Sequence, residues 1–228
     1  MDAESAHCIS SKTRTVGLLF EISISSFVIA AKAAGVKQFL FVSANIAYTN
    51  SPIPLMAAKG ATEDYLQASG ISYTIIAPDA FMEVWVAMVV GMPAVAGQPV
   101  TFVGTGQRKH SFISAVDVAN FIIASIDNSE AMNQKLTIGG PEALSFRDVV
   151  KVFEHVLGRS IVVQSVGVGQ PLPNFPDAVV QFIGGFDSYD SPIDMDKLSR
   201  TFGVKLTSLE EFAKGFVVNI KRENSEVH

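Results

Sequence analysis

From Ile24 onward, apolar residues recur at i, i+3, i+4 and i+7 (Ile24, Phe27, Val28, Ala31), which places them on one helical face, and Gly35 stands where a C′ glycine ends a helix. The run VKQFLFVSA that follows is short, β-branched and aromatic, and predicts a buried strand. A polar loop with Asn50, Ser51, Pro52 and Pro54 then leads into a helix from about Leu55 to Ser69, closed by Gly70. The strand ISYTIIA comes next and stops at Pro78. Helix, strand, helix, strand, with strands that are apolar almost throughout, predicts an α/β fold whose parallel sheet is covered on both faces.

The second half repeats this logic. SAVDVANFIIASI opens with Ser114 and has Asp117 three residues on, SFRDVVKVFEHVLG does the same with Ser145 and Asp148, and SLEEFAKGF with Ser208 and Glu211. Each pair predicts a helix N-terminus in which hydroxyl and carboxylate cap each other's backbone amides. KLTIGG and SIVVQSV read as strands, and Gly167 to Gly185, rich in Gly, Pro and aromatics, as a loop or short cap over a pocket. Gly104-Thr105-Gly106 lies between two strand-like runs and predicts a hairpin turn.

Composition narrows the classes. A chain of 228 residues with 48% hydrophobic and 17% charged residues supports one compact domain with a sizeable core. Net charge is −5, with no block of like charge, so nucleic acid is not an expected partner. Cys8 is the single cysteine, and His7, His110, His155 and His228 show no metal-ligand spacing, so no metal site is expected. The most apolar stretches, Val16 to Ala31 and Val84 to Gly97, are interrupted and fall short of the roughly 20 apolar residues of a membrane span. The start does not read as a signal peptide, and the expected location is cytoplasmic.

Four segments in order, AAKAAGVKQFLFVSA, PLMAAKGATEDYLQASGISYTIIAPDAFM, HSFISAVDVANFI and LTIGGPEALSFRDVVKVFEHVLG, resemble consecutive parts of the NmrA-like group of atypical short-chain dehydrogenase/reductases. The resemblance runs from about residue 24 to about 160 and continues to TSLEEFAKGF. It implies a Rossmann-like sheet with flanking helices that binds NADP or NAD, and a small C-terminal lobe that shapes a substrate site. On this reading the 228 residues form one NAD(P)-binding-like domain, with about 15–140 the Rossmann part and about 141–228 the lobe. No Gly-rich turn joins a first strand to a first helix, where backbone amides would meet the pyrophosphate. The sheet is therefore expected to be partial, short at its N-terminal side by about 70 to 90 residues, with weak or absent cofactor binding.

The resemblance also implies roles. Lys59 matches the lysine that hydrogen-bonds the nicotinamide ribose, and Leu55 stands four residues earlier, where a reductase carries its proton-donating tyrosine. A leucine cannot titrate, so a proton would come from water, from the substrate's own acid, or from Tyr48 on the preceding loop. Read without the resemblance, Lys59 is a solvated helix residue paired with Glu63. Ser43 and Ala44, at the carboxyl end of FLFVS, are expected to orient a substrate carbonyl and touch the cofactor. Pro78, Ala80 and Phe81 resemble the loop against the nicotinamide, and Phe81, Met82, Trp85 and His110 are the candidate substrate residues. The same apolar residues also suit an ordinary core, and His110, beside Arg108 and Lys109, also suits an exposed surface. Three functions follow: an oxidoreductase for a small apolar carbonyl, quinone or enone, a non-catalytic regulatory or assembly module of the same fold, and a shortened paralogue whose sheet edge needs a second copy or a partner chain.

Overall fold

The computed structural model describes residues 26–172 and 175–226. Expectations that fall on residues 1–25, including the Ile24 position and any glycine turn there, lie outside the described residues. The chain divides into two compact units: one takes the chain up to Pro78 together with Asn120–Ile138, the other takes Asp79–Ala119 together with the chain from Gly139. Strand β4 (Gln134–Ile138) pairs with β2 (Tyr73–Pro78) and so returns to the first unit, whereas residues 79–119 belong with the C-terminal portion.

The first unit is built on a three-stranded parallel sheet of order β1-β2-β4, with β1 at Phe39–Val42. Phe41 stands opposite Ile75, and Ile76 opposite Leu136. The central strand is buried from Thr74 to Pro78, which is why its sequence is nearly unbroken apolar. Its one polar side chain, Thr74, is satisfied: the hydroxyl donates to the Ala131 carbonyl at 2.8 Å and accepts from Gln38 Nε2 at 2.9 Å. Helix α1 (26–33) places Val28 in the core with Phe41, Leu66, Ile71 and Ile75, but leaves Phe27 65% exposed. The predicted α1 face is thus buried only in part. Helix α2 (Pro54–Ser69) starts with proline in its first turn and ends at Gly70 with φ of 73°, as its sequence predicts. Gly60 on α2 is required by close approach, since a Cβ there would lie 2.2 Å from the Tyr48 carbonyl carbon.

The second unit surrounds a larger aromatic core that includes Phe102, Phe112, Phe146, Phe153, Ile183 and Phe186. It opens with a π-helical segment, Met82–Gly91, and the short helix α3 (Met92–Val95). Strand β3 (Val100–Val103) pairs in parallel with β5 (Val163–Val166). Helices α4 (Ala115–Ser125), α5 (Phe146–Leu157), α6 (Asp177–Gly185), α7 (Asp196–Phe202) and α8 (Leu209–Glu226) complete the elements. Phe153 of α5 meets Phe216 of α8 edge-on at 6.1 Å.

Several expectations are corrected here. Gly104-Thr105-Gly106 is not a hairpin, because the partner of β3 is β5, some sixty residues on. Instead, the amides of Thr105 and Gly106 both donate to the Asp187 carboxylate at 2.9 Å. Gly104, at φ of 85°, makes room for that carboxylate, which would lie 2.3 Å from a Cβ. The stretch Gly167 to Gly185 contains helix α6 rather than only a loop. Of the three predicted caps, those at Ser145/Asp148 and Ser208/Glu211 form. At α4, Ser114 Oγ accepts from the Val116 amide, while Asp117 turns away and accepts from the Thr207 amide and hydroxyl at 2.7 and 2.9 Å. Burial raises the Asp117 carboxyl above its ordinary range, and the two Thr207 bonds oppose that rise.

Candidate functional site

In the first unit, Ser43 follows β1 directly, and its amide donates to the Ile76 carbonyl at 2.7 Å, extending the pairing by one residue. Asn45 then donates to the Pro78 carbonyl at 2.8 Å. Ser43, Ala44 and Pro78 are thereby gathered at the carboxyl ends of β1 and β2. Lys59, on the second turn of α2, reaches the same place: Nζ donates to the Val42 carbonyl at 2.8 Å and to the Ser43 carbonyl at 3.4 Å. Its ammonium also lies 5.4 Å over the Phe41 ring. Burial lowers the Lys59 pKa below the ordinary lysine value, and the charge of Glu63 opposes that drop.

Glu63 is not the solvated partner of Lys59 that its i+4 spacing suggests. It is 5% exposed and accepts from the Ser43 hydroxyl on one oxygen and from Lys135 Nζ, at 2.6 Å, on the other. Ser43, Glu63 and Lys135 thus form a line from the end of β1 through α2 to β4, buried at Ser43 and Glu63 and reaching solvent at Lys135. With Lys135 on its other oxygen, Glu63 accepts the single Ser43 proton, and the hydroxyl offers any other group only its lone pairs. Leu55, one turn before Lys59, is 43% exposed, and Tyr48 is exposed on the loop before α2.

The remaining candidates belong to the second unit. Ala80 and Met82 are buried and Phe81 half-buried, held by the Ile113 amide on the Ala80 carbonyl and the Met82 amide on the Ile113 carbonyl, each at 2.9 Å. Trp85, on the π-helical segment, stacks on Phe182 with ring centroids 5.2 Å apart and meets the edge of Phe186 at 5.0 Å. His110 is not a surface residue. Its exposure is 0%; Nδ1 lies 2.8 Å from Ser191 Oγ and Nε2 lies 2.9 Å from the Phe186 carbonyl. Ser191 Oγ is in turn 2.8 Å from Asp79 Oδ2, which also accepts the Ser111 amide at 2.8 Å. Burial lowers the His110 pKa; the Phe186 carbonyl and the Asp79 and Asp190 carboxylates oppose the drop.

Sequence reading missed Glu63, Lys135, Asp79 and Ser191 as site-building residues. Asp79 carries a signal, an acid set directly after an apolar strand, while Ser191 lies 112 residues away and carries none. Among the described residues no cluster of three or more His, Cys, Asp or Glu is placed to hold a metal ion, and no helix is long and apolar enough to cross a membrane.

A sequence profile described as the NmrA-like family matches residues 6–215. The chain belongs to the NmrA-like family. Among its relatives, an NAD(P)H azoreductase of Xenophilus azovorans is 27% identical over 60% of this chain and 47% of its own length. A photosystem II assembly factor, Ycf39 of Trieres chinensis, is 28% identical over 81% of this chain and 54% of its own. The chain thus spans about half the length of these curated relatives. Among solved structures, an NADPH-dependent quinone oxidoreductase from Escherichia coli, complexed with NADPH, superposes with a TM-score of 0.70 at 22% identity, covering 84% of this chain and 70% of that one. A UDP-glucose 4-epimerase from Thermotoga maritima superposes with the same score of 0.70 at 19% identity, covering 95% of this chain and 74% of that one. The NmrA-like fold is therefore Rossmann-like, as the order of the four sequence segments implies.

Proposed function

We propose that this NmrA-like chain is oxidoreductase-like, taking NADPH or NADH at the carboxyl ends of β1 and β2 and passing hydride to a small apolar carbonyl, quinone or enone. One observation carries the reading: Lys59, Ser43, Ala44 and Pro78 converge at the ends of two adjacent parallel strands, where open α/β sheets take their ligands. The nicotinamide supplies the hydride. Lys59 exchanges its longer bond, to the Ser43 carbonyl, for a ribose hydroxyl, and Ser43 accepts a hydrogen bond from the ligand rather than donating one. Leu55 cannot titrate, so the proton comes from solvent. A quinone-like acceptor suits that arrangement; of the candidate substrate residues of the second unit, Phe81 and Trp85 keep partial exposure, whereas Met82 and His110 are buried, and Tyr48 is exposed on the loop before α2.

Cofactor binding is expected to be weak. The glycine pairs that follow strands among the described residues spend their backbone amides on the protein: Thr105 and Gly106 on Asp187, Gly139 on the Met195 sulfur at 3.2 Å, and Gly140 on the Ser111 carbonyl at 3.1 Å. A diphosphate finds no such cradle there. Calorimetric titration with NADPH tests the reading: binding weaker than micromolar, abolished by Lys59→Ala and unchanged by Leu55→Ala. Micromolar or tighter binding overturns the weak-site assignment, and equal effects of the two substitutions remove Lys59 from the ribose.

A second reading, a non-catalytic assembly or regulatory module, is favoured by Leu55 in the proton donor's place and by the assembly factor among the relatives. Among the described residues strand β1 ends the sheet order, and on this reading a second copy or a partner chain pairs with its outer edge. NADPH oxidation in the presence of a quinone separates the two: turnover abolished by Lys59→Ala supports the oxidoreductase, and binding without turnover supports the module.

A further inference from the structure

The second unit holds three polar side chains whose hydrogens can be counted. His110 Nε2 faces the Phe186 carbonyl at 2.9 Å, and a carbonyl only accepts, so Nε2 carries a proton. Two contacts remain, each 2.8 Å: His110 Nδ1 to Ser191 Oγ, and Ser191 Oγ to Asp79 Oδ2. Ser191 has one hydrogen and can serve only one of them. A neutral imidazole, a hydroxyl and a carboxylate together bring two hydrogens to three contacts. One contact would then set lone pair against lone pair, inside a core where His110, Ser191 and Asp79 are all buried.

We propose that Asp79, Ser191 and His110 form a proton-holding clasp that keeps a third hydrogen at neutral pH, as an imidazolium with a carboxylate or as a neutral imidazole with a carboxyl group. The proton belongs to the trio, not to one residue. Other charged and titratable groups nearby do not supply it. The Tyr189 ring meets the imidazole edge-on at 5.2 Å, but burial, with the Asp79 charge, pushes its phenol up to about 12. Asp190 is already bound by the Lys109 amide at 2.7 Å and by Arg108 at 2.9 Å, and those bonds hold its carboxyl below the ordinary range.

The clasp joins three distant segments: Asp79, directly before Ala80 and Phe81, the stretch 108–111, and the stretch 186–191. Losing the third hydrogen opens one of the two contacts at Ser191, while Nε2 still holds the Phe186 carbonyl. This device does not depend on cofactor binding and goes beyond the proposed function. Its sign is fixed by linkage. The unfolded chain releases the corresponding proton at the ordinary histidine value, about 6.5, whereas the native trio keeps it above neutrality, so stability falls as pH rises beyond that value.

Denaturant unfolding of the full chain from about pH 5.5 to about pH 9 tests it, comparing wild type with Ser191→Ala, in which a neutral imidazole and a carboxylate no longer share an atom. The wild-type unfolding constant should rise about tenfold more per pH unit above about pH 6.5 than that of Ser191→Ala. Parallel slopes, or a smaller wild-type rise, overturn the proposal. Should Ser191→Ala fail to fold, imidazole nitrogen and Asp79 carboxyl shifts of the wild type decide alone. An imidazolium, or a protonated Asp79, at neutral pH supports the clasp; a neutral imidazole beside an ionised carboxylate sinks it.

Discussion

The two buried polar groups solve the same problem in opposite ways. In the first unit, Glu63 is neutralised by a full ammonium, Lys135 at 2.6 Å, which reaches solvent with 31% of its side chain exposed. In the second, Asp79 accepts from an amide and faces a hydroxyl, and the clasp adds a hydrogen shared with an imidazole. One arrangement is complete in charge and poor in transferable protons; the other holds a proton in excess. Buried carboxylates in a single chain are thus balanced by different groups, a lysine in one unit and a histidine reached through a serine in the other.

Supplying the first unit with the donor it lacks is the strongest way to break this contrast. Leu55→Tyr puts a phenol one turn before a lysine whose pKa burial has already lowered, and carbonyl reduction with NADPH should rise by about a hundredfold, the lower end of what a positioned acid contributes. No rise in the steady-state rate would mean that Lys59 and Ser43 do not face a substrate. Next in size is Lys135→Met, which strands a carboxylate that is 5% exposed. Breaking a fully buried pair costs about 3–5 kcal/mol, and the partial exposure of Lys135 reduces the expected loss to about 2–3 kcal/mol. Urea midpoints at neutral pH should show that loss.

The smallest effect provides an acid-side control for the clasp. Ser145→Ala removes the N-cap of α5 and should cost about 1 kcal/mol. The Ser145 hydroxyl holds the Asp148 carboxyl below its ordinary range, burial opposes this, and Lys151 adds to it. A carboxyl whose folded pKa is depressed stabilises above its unfolded value of about 3.9, and that contribution fades as pH falls through the folded value. Ser145→Ala should therefore flatten the stability profile below about pH 4, while Ser191→Ala flattens it above about pH 6.5. A shared response at one end would show that the two groups are not independent.

Much of the fold was legible because it is written locally. Glycines at 35, 70 and 158, all at positive φ, mark helix ends in both sequence and structure. Strands β1 and β2 were plain from runs too apolar to face water. What failed was non-local. The strand-like runs around Gly104 suggested a hairpin, yet β3 finds its partner at Val163–Val166, and no turn residue encodes that choice. Asp117 follows the spacing of a capping residue but is claimed by Thr207, 90 residues on. The neighbours of His110 are charged, and only contacts with residues 79, 186 and 191 take it inside. For the candidate site, Lys59 and Ser43 were named from the resemblance; Glu63, which fixes the direction of the Ser43 hydroxyl, had been read only as a surface partner.

The order in which the first unit is completed follows from its discontinuity. Its last strand, Gln134–Ile138, emerges from a ribosome well after the strand it pairs with, Tyr73–Pro78, because residues 79–119 of the other unit come between. Until Lys135 has been synthesised, Glu63 lacks its 2.6 Å ion-pair partner, so docking of α2 onto the nascent sheet leaves that carboxylate incompletely balanced. Translation past residue 138 is therefore the point at which the N-terminal portion can lock, and a ribosome stalled before it should display that portion in a protease-sensitive form.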